Sequence, residues 1–148
     1  MTQKLLITTD FSDAAEVGVR YGAALAQSLG AEATLVHVWS SEAVAAPPAT
    51  LGWSSAKQRA LVEEIRTHLS GRLEEAGSLV PDDVPLSTLL LDDRSVARAI
   101  TSHAEENGFD LIVISTHGRT GVGHFLLGSV AEKVVRLAAG RVLTVPAR

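Results

Sequence analysis

The chain has 148 residues, carries Lys+Arg 13 against Asp+Glu 17, and has a formal net charge of −4 with a pI near 5.7. That length fits one domain with a self-sufficient core, and the acidic balance supplies no basic field for nucleic acid. The absence of cysteine removes disulfides, thiolate chemistry and cysteine-bound zinc, and no apolar run approaches the roughly 20 residues of a membrane span. A single domain over residues 1–148, unprocessed and in the cytoplasm, is the expectation.

Lys4 to Thr9 reads as a short buried strand. Ser12 or Asp13 then caps a helix whose Val17, Tyr21, Ala24 and Leu25 form an apolar stripe, with Gly30 as its C-terminal stop. Ala33 to Trp39 is β-branched and apolar enough for a second strand. The Ser/Ala/Pro segment from Ser40 to Ser54 is too polar and proline-broken for regular structure. Ser55 and Gln58 form a capping pair for a helix with Leu61, Ile65, Leu69 and Leu73 at four-residue steps, ending at Gly77. Val84 to Leu91 gives a third strand. Ser95 starts a helix with Val96, Ala99, Ile100 and His103 on one face, and Asn107-Gly108 closes it. Asp110 to Ser115 is the fourth strand, a last helix carries Val130, Val134 and Leu137, and Arg141 to Pro146 is the fifth strand.

This strict βα alternation predicts an α/β fold, a doubly wound five-stranded parallel sheet with helices on both faces. In the order 3-2-1-4-5 the strand order reverses between the first and fourth strands, and ligands bind at the carboxyl ends beside such a reversal. Those ends deliver Thr8-Thr9-Asp10 and Ser115 to Gly118.

The stretch from Ser115 to Ser129 follows a buried strand, is rich in glycine and opens into a helix. Glycines let the main chain approach a ligand, while unpaired helix N–H groups and the helix dipole favour negative charge. A phosphorylated ligand is the chemistry that this order of elements suits. Ser129-Val130-Ala131-Glu132 also reads as a capping box, a structural role that needs no ligand. Gly121 and Gly123 read as turn residues, and Asp10 reads either as a ligand contact or as the cap of the first helix.

The five histidines lack metal-ligand spacing: His37 lies in a strand, His68 and His103 on separate helices, and His117 and His124 in one loop. His37 reads as a core residue with a satisfied ring nitrogen, and His117 as the better donor to a phosphate or ribose. Asp92-Asp93 reads as helix capping before Ser95 rather than as a catalytic pair. A P-loop lysine motif is absent, as is a signature for adenylyl transfer.

Thr9-Asp10-Phe11-Ser12, the Gly118, Gly128 and Ser129 positions of a glycine, two residues, glycine, nine residues, glycine, Ser/Thr motif, and the closing Val130 to Val134 and Arg141 to Val145 resemble the universal stress protein family, particularly its ATP-binding branch. Ser115 departs from the motif, which has glycine there. The resemblance implies that Thr9 and Asp10 contact the adenosine end and that Val38 meets adenine through its main chain. It implies that Ser115, His117 and Gly118 line the ribose and first phosphates, and that Gly128, Ser129, Val130 and Ala131 hold the later ones. ATP is the implied ligand, with ADP or AMP as further possibilities and Mg2+ riding on the phosphates. A homodimer through Arg141 to Pro146 and an unknown protein partner are also implied.

The expected function is a nucleotide-dependent regulatory module in a stress response. A slow ATPase and a nucleotide-free dimeric interaction protein are the alternatives. Ordering of Thr116 to Leu127 and closure of the segment with Trp53 over the nucleotide are expected consequences of occupancy.

Overall fold

The computed structural model describes residues 2–46, 51–117 and 127–147. Its sheet has the order β3-β2-β1-β4-β5, all pairs parallel, from β1 (Lys4–Thr8), β2 (Glu32–Trp39), β3 (Leu86–Asp92), β4 (Leu111–Ser115) and β5 (Arg141–Val145). The helices are α1 (Asp13–Leu29), α2 (Ser41–Ala45), α3 (Ser55–Gly77), α4 (Val96–Glu106) and α5 (Ser129–Leu137). The expected strand order is therefore the observed one. β1 lies in the middle, with Leu5, Leu6 and Ile7 at most 1% exposed. Each such side chain contributes about 1.5–3 kcal/mol on burial.

Strand alternation divides the core into two layers. Leu5, Ile7, Leu35 and Val113 meet α1 and α3, whereas Leu6, Val36, Ile112 and Ile114 meet α4 and α5.

The stripe expected on α1 is not its buried face. Ala15, Gly18, Val19, Gly22, Ala23 and Ala26 face the sheet, while Tyr21 is 54% exposed and Ala24 is exposed; Val17 and Leu25 flank the core. Small residues win because the helix axis runs close to β1: a Cβ on Gly22 would lie 2.9 Å from Ile7 Cδ1. Gly30 stops the helix as expected, at φ 59 with its N–H donating to Ala26 and Gln27 carbonyls.

Other boundaries also differ from the sequence reading. Ser41–Ala45 forms a short helix inside the segment expected to be irregular, because Ser40 accepts from Ala43 N and Ser41 N donates to Asp92 Oδ1 at 2.9 Å. Residues 47–50 of that segment lie outside the described residues. Ser54, rather than Ser55, caps α3 by accepting from Lys57 N, and of its expected stripe only Leu73 is buried. On α4, Ile100 and Ala99 are buried as expected, but Val96 is 36% exposed. Thr9 and Pro146 fall just beyond their strands, and β3 starts at Leu86 rather than Val84.

His103 packs near Phe109, with ring centroids 5.7 Å apart, and burial holds its imidazole below the ordinary range. As pH falls through about 6.5 the unfolded chain takes up this proton before the folded one does, so stability present above that pH is lost on the way down. Thermal unfolding should show a modest decline from pH 7 to 5.5, and His103→Gln should flatten it. An unchanged slope in the variant would assign the decline to other groups.

Candidate functional site

The corner between β1 and α1 is held by its own side chains. Thr9 N donates to Val36 O at 2.9 Å, extending the ladder by one residue before the chain turns away. Asp10 Oδ1 accepts from Ser12 N at 3.0 Å and Ser12 Oγ at 2.5 Å, and Ser12 Oγ accepts from Ala15 N at 3.1 Å. Ser12 is thus the cap of α1, and Asp10 braces it from the cleft side.

Because β1 ends there, β2 projects past it. Val36 O faces β1 and Trp39 O accepts from Asp93 N on the β3 side. Val38, in step with Val36, therefore turns its main-chain N–H and C=O toward the space beyond β1.

Across this space lies the end of β4. Ser115 Oγ donates to His117 O at 3.1 Å, Thr116 N donates to Val145 O at 2.9 Å, and Thr116 Oγ1 lies 2.8 Å from His117 Nδ1. His117 Nε2 is buried without a hydrogen-bond partner among the described residues. Ser115 has no positive φ, so glycine is not required at this motif position. Its side chain meets α1 where that helix has glycine: a Cβ on Gly18 would be 3.4 Å from Ser115 Cβ.

The chain re-enters at Gly128, whose N–H donates to Thr116 O at 2.5 Å. A Cβ on Gly128 would stand 2.6 Å from that same oxygen, so the close approach requires glycine. Gly128 is also the N-cap of α5, its O accepting from Glu132 N at 2.8 Å. This corrects the capping box: Ser129 is the first residue inside the helix, and α5 has no side-chain cap. The other helices each begin with a serine that accepts from the third helical N–H. The N–H groups of Ser129, Val130 and Ala131 thus remain without an intrahelical acceptor.

These elements enclose a cleft of about 220 Å³. Thr9, Asp10, Val38, Ser115, His117, Gly128, Ser129, Val130 and Ala131 all line it; Gly118 lies outside the described residues, as do Gly121, Gly123 and His124. Thr8 and Thr116, expected at the crevice with the strand ends, line it too, and sequence reasoning missed Ala15, Val36, His37, Val96, Ile100 and Ile114, which also do. Val36, Ile100 and Ile114 are core residues whose exposed edges form an apolar wall. Val96, expected on one helix face with Ala99 and Ile100, lines the cleft with 36% of its surface exposed.

His37 has the satisfied ring nitrogen expected of it, Nδ1 lying 2.8 Å from Thr9 O. Asp92 and Asp93 do not line the cleft. The Ser41 hydroxyl and N–H hold Asp92 below the usual carboxylate range, while the Ser95 N–H and then Arg98 do so for Asp93. No helix among the described residues is long and apolar enough to cross a membrane.

The model of the universal stress protein family matches residues 1–146. The chain belongs to the universal stress protein family. It is 29% identical over 149 residues to the universal stress protein YxiE of Bacillus subtilis, covering 98% of this chain and 99% of that protein. It is 28% identical over 154 residues to the universal stress protein MJ0577 of Methanocaldococcus jannaschii, covering 98% and 95% of the two chains. The solved structure of MJ0577 superposes with a TM-score of 0.81 at 24% identity, covering 100% of this chain and 98% of that one. A universal stress protein from Archaeoglobus fulgidus, solved in complex with dAMP, has a TM-score of 0.63 at 22% identity, each chain covered to 97%. In this universal stress protein, the carboxyl ends of β1 and β4 and the start of α5 meet where the sheet order reverses.

Proposed function

We propose that this protein binds an adenine nucleotide, foremost ATP with ADP or AMP as further occupants, and acts as a nucleotide-dependent regulatory module in a stress response. The observation that carries this reading is the uncapped start of α5 beside His117 Nε2, buried and without a partner among the described residues, facing a cleft whose other side offers the main chain of Val38. A helix N-terminus attracts phosphate through its free N–H groups and dipole. A paired main-chain donor and acceptor on a strand suits the donor and acceptor edge of adenine, and the apolar wall suits its faces. Universal stress proteins of the same fold have been solved with cAMP and with dAMP.

Gly128, Ser129, Val130 and Ala131 then hold the outer phosphates. Thr9 and Asp10 sit at the adenosine end, with Ser115, His117 and Gly118 between. Mg2+ travels on the phosphates, its usual ligands beside water. Regulation follows from occupancy: a nucleotide shifts a conformation by its differential affinity for two states, and a partner reads the result in the cytoplasm. A homodimer through β5 fits the edge position of that strand, where an unpaired row of backbone groups can join a second copy.

Small molecules released from freshly purified, denatured protein and identified by mass spectrometry test the reading. Adenine nucleotide in stoichiometric amount is expected. An empty protein that also fails to bind millimolar ATP in calorimetry would overturn it and favour the nucleotide-free interaction protein. Sustained phosphate release by the loaded protein would instead make it a slow ATPase.

Ser115→Gly should change nucleotide affinity by no more than about tenfold, the upper worth of one neutral hydrogen bond. Titration of both proteins with the same nucleotide checks this. A much larger change would mean that the serine hydroxyl itself contacts the ligand.

A further inference from the structure

The turn that presents Asp10 to the cleft has a hollow behind it. Thr9, Phe11, Ser12 and Arg72 line a second cavity of about 200 Å³ between α1 and α3, and Thr9 lines both cavities. The corner is therefore a wall one residue thick. Phe11, its central residue, has φ 65, a left-handed conformation that a bulky side chain adopts only when its surroundings hold it.

Three contacts hold it. Phe11 N donates to Thr9 Oγ1 at 3.0 Å, the ring lies 4.4 Å from the His37 imidazole, and the Arg72 guanidinium carbon stands 4.6 Å from the ring centroid. His37 Nδ1 in turn lies 2.8 Å from Thr9 O. Arg72, Phe11, His37 and Thr9 thus form one chain of contacts from α3 to the lining of the cleft.

We propose that Arg72 is a positioning residue for the nucleotide cleft, acting through the Phe11 ring on His37 and on the Thr9-Asp10 turn. This rests on the adenine-nucleotide reading above. The guanidinium touches no part of the cleft. It caps the ring with a cation–π contact that lysine can reproduce in part and alanine cannot. The ring in turn keeps the imidazole and the turn in register, so motion of α3 at Arg72 and nucleotide affinity are coupled.

Four proteins test the proposal: wild type, Arg72→Ala, Arg72→Lys and Phe11→Gly. Glycine suits the positive φ, so Phe11→Gly removes the ring while favouring the turn. ATP affinity by calorimetry should fall about threefold to fivefold in Arg72→Ala and stay within about twofold of wild type in Arg72→Lys. It should fall about tenfold in Phe11→Gly. In the nucleotide-free proteins, the His37 ring proton resonances should move in Arg72→Ala and Phe11→Gly and hold in Arg72→Lys.

Wild-type affinity in Arg72→Ala, or His37 resonances that do not move in it, would overturn the proposal, whatever Phe11→Gly does. If the wild type binds no nucleotide, the adenine-nucleotide reading fails and the resonances alone decide whether Arg72 positions this wall.

Discussion

Gly128→Ala should weaken nucleotide binding by about a hundredfold or more, the loss of two charge-assisted hydrogen bonds. The added Cβ would lie 2.6 Å from Thr116 O and 3.5 Å from Thr116 C. Both are backbone atoms of the residue that follows β4, so no side-chain rotation relieves the contact. Either the start of α5 or the Thr116-His117 segment must move. In either case the Gly128 N–H to Thr116 O bond is lost and the first-turn N–H groups no longer point where the proposed phosphates sit. Overpacking of this kind costs about 1–3 kcal/mol, and the melting temperature should fall by several degrees. Calorimetric titration beside thermal unfolding separates the two effects. A variant that binds as the wild type does would mean that the α5 start is not the phosphate cradle.

The largest effect on stability is expected at Gly22. Its missing Cβ would fall 2.9, 3.0 and 3.3 Å from three carbons of Ile7, a side chain with no exposed surface. Alanine there gains about 1 kcal/mol of helix propensity, which offsets much of the cost of shifting Ile7. Leucine has nowhere to place its further carbons except by lifting α1 off β1. Gly22→Leu should therefore lower the melting temperature by about 5–10 °C. Tyr21→Ala, one position away on the exposed face, should be nearly neutral. If the tyrosine change costs more than the leucine change, α1 is rotated relative to the sheet described here.

That pair of residues also shows where sequence reasoning stops. The larger side chains Val17, Tyr21 and Leu25, with Ala24, fall at helical spacing and make a plausible inner face. The buried face is the one whose side chains are short enough for the helix to approach Ile7 and Ser115. Likewise, Ser129-x-x-Glu132 has the composition of a capping box, but the tie between Gly128 N and Thr116 O sets the point of entry one residue earlier. Ser55 with Gln58 has the composition of a capping pair, but α3 is capped one residue earlier, by Ser54 accepting from Lys57 N.

The alternation of apolar strands with helices was sufficient to place the five strands and α1, α3, α4 and α5, but not α2. The usual layout of a five-stranded doubly wound sheet, with β1 near the centre, made β3-β2-β1-β4-β5 the expected order, bringing Thr9-Asp10 near Ser115 and the Gly128-Ser129 turn. Periodicity and crossover handedness are properties of local chain chemistry, so they can be read along one dimension. The inner face of α1, the uncapped start of α5 and the exposure of Val96 to the cleft depend on distances between elements that are far apart in sequence. Those distances exist only once both faces of the sheet are packed, and steric exclusion at a few ångströms, rather than hydropathy, then decides which side chains fit.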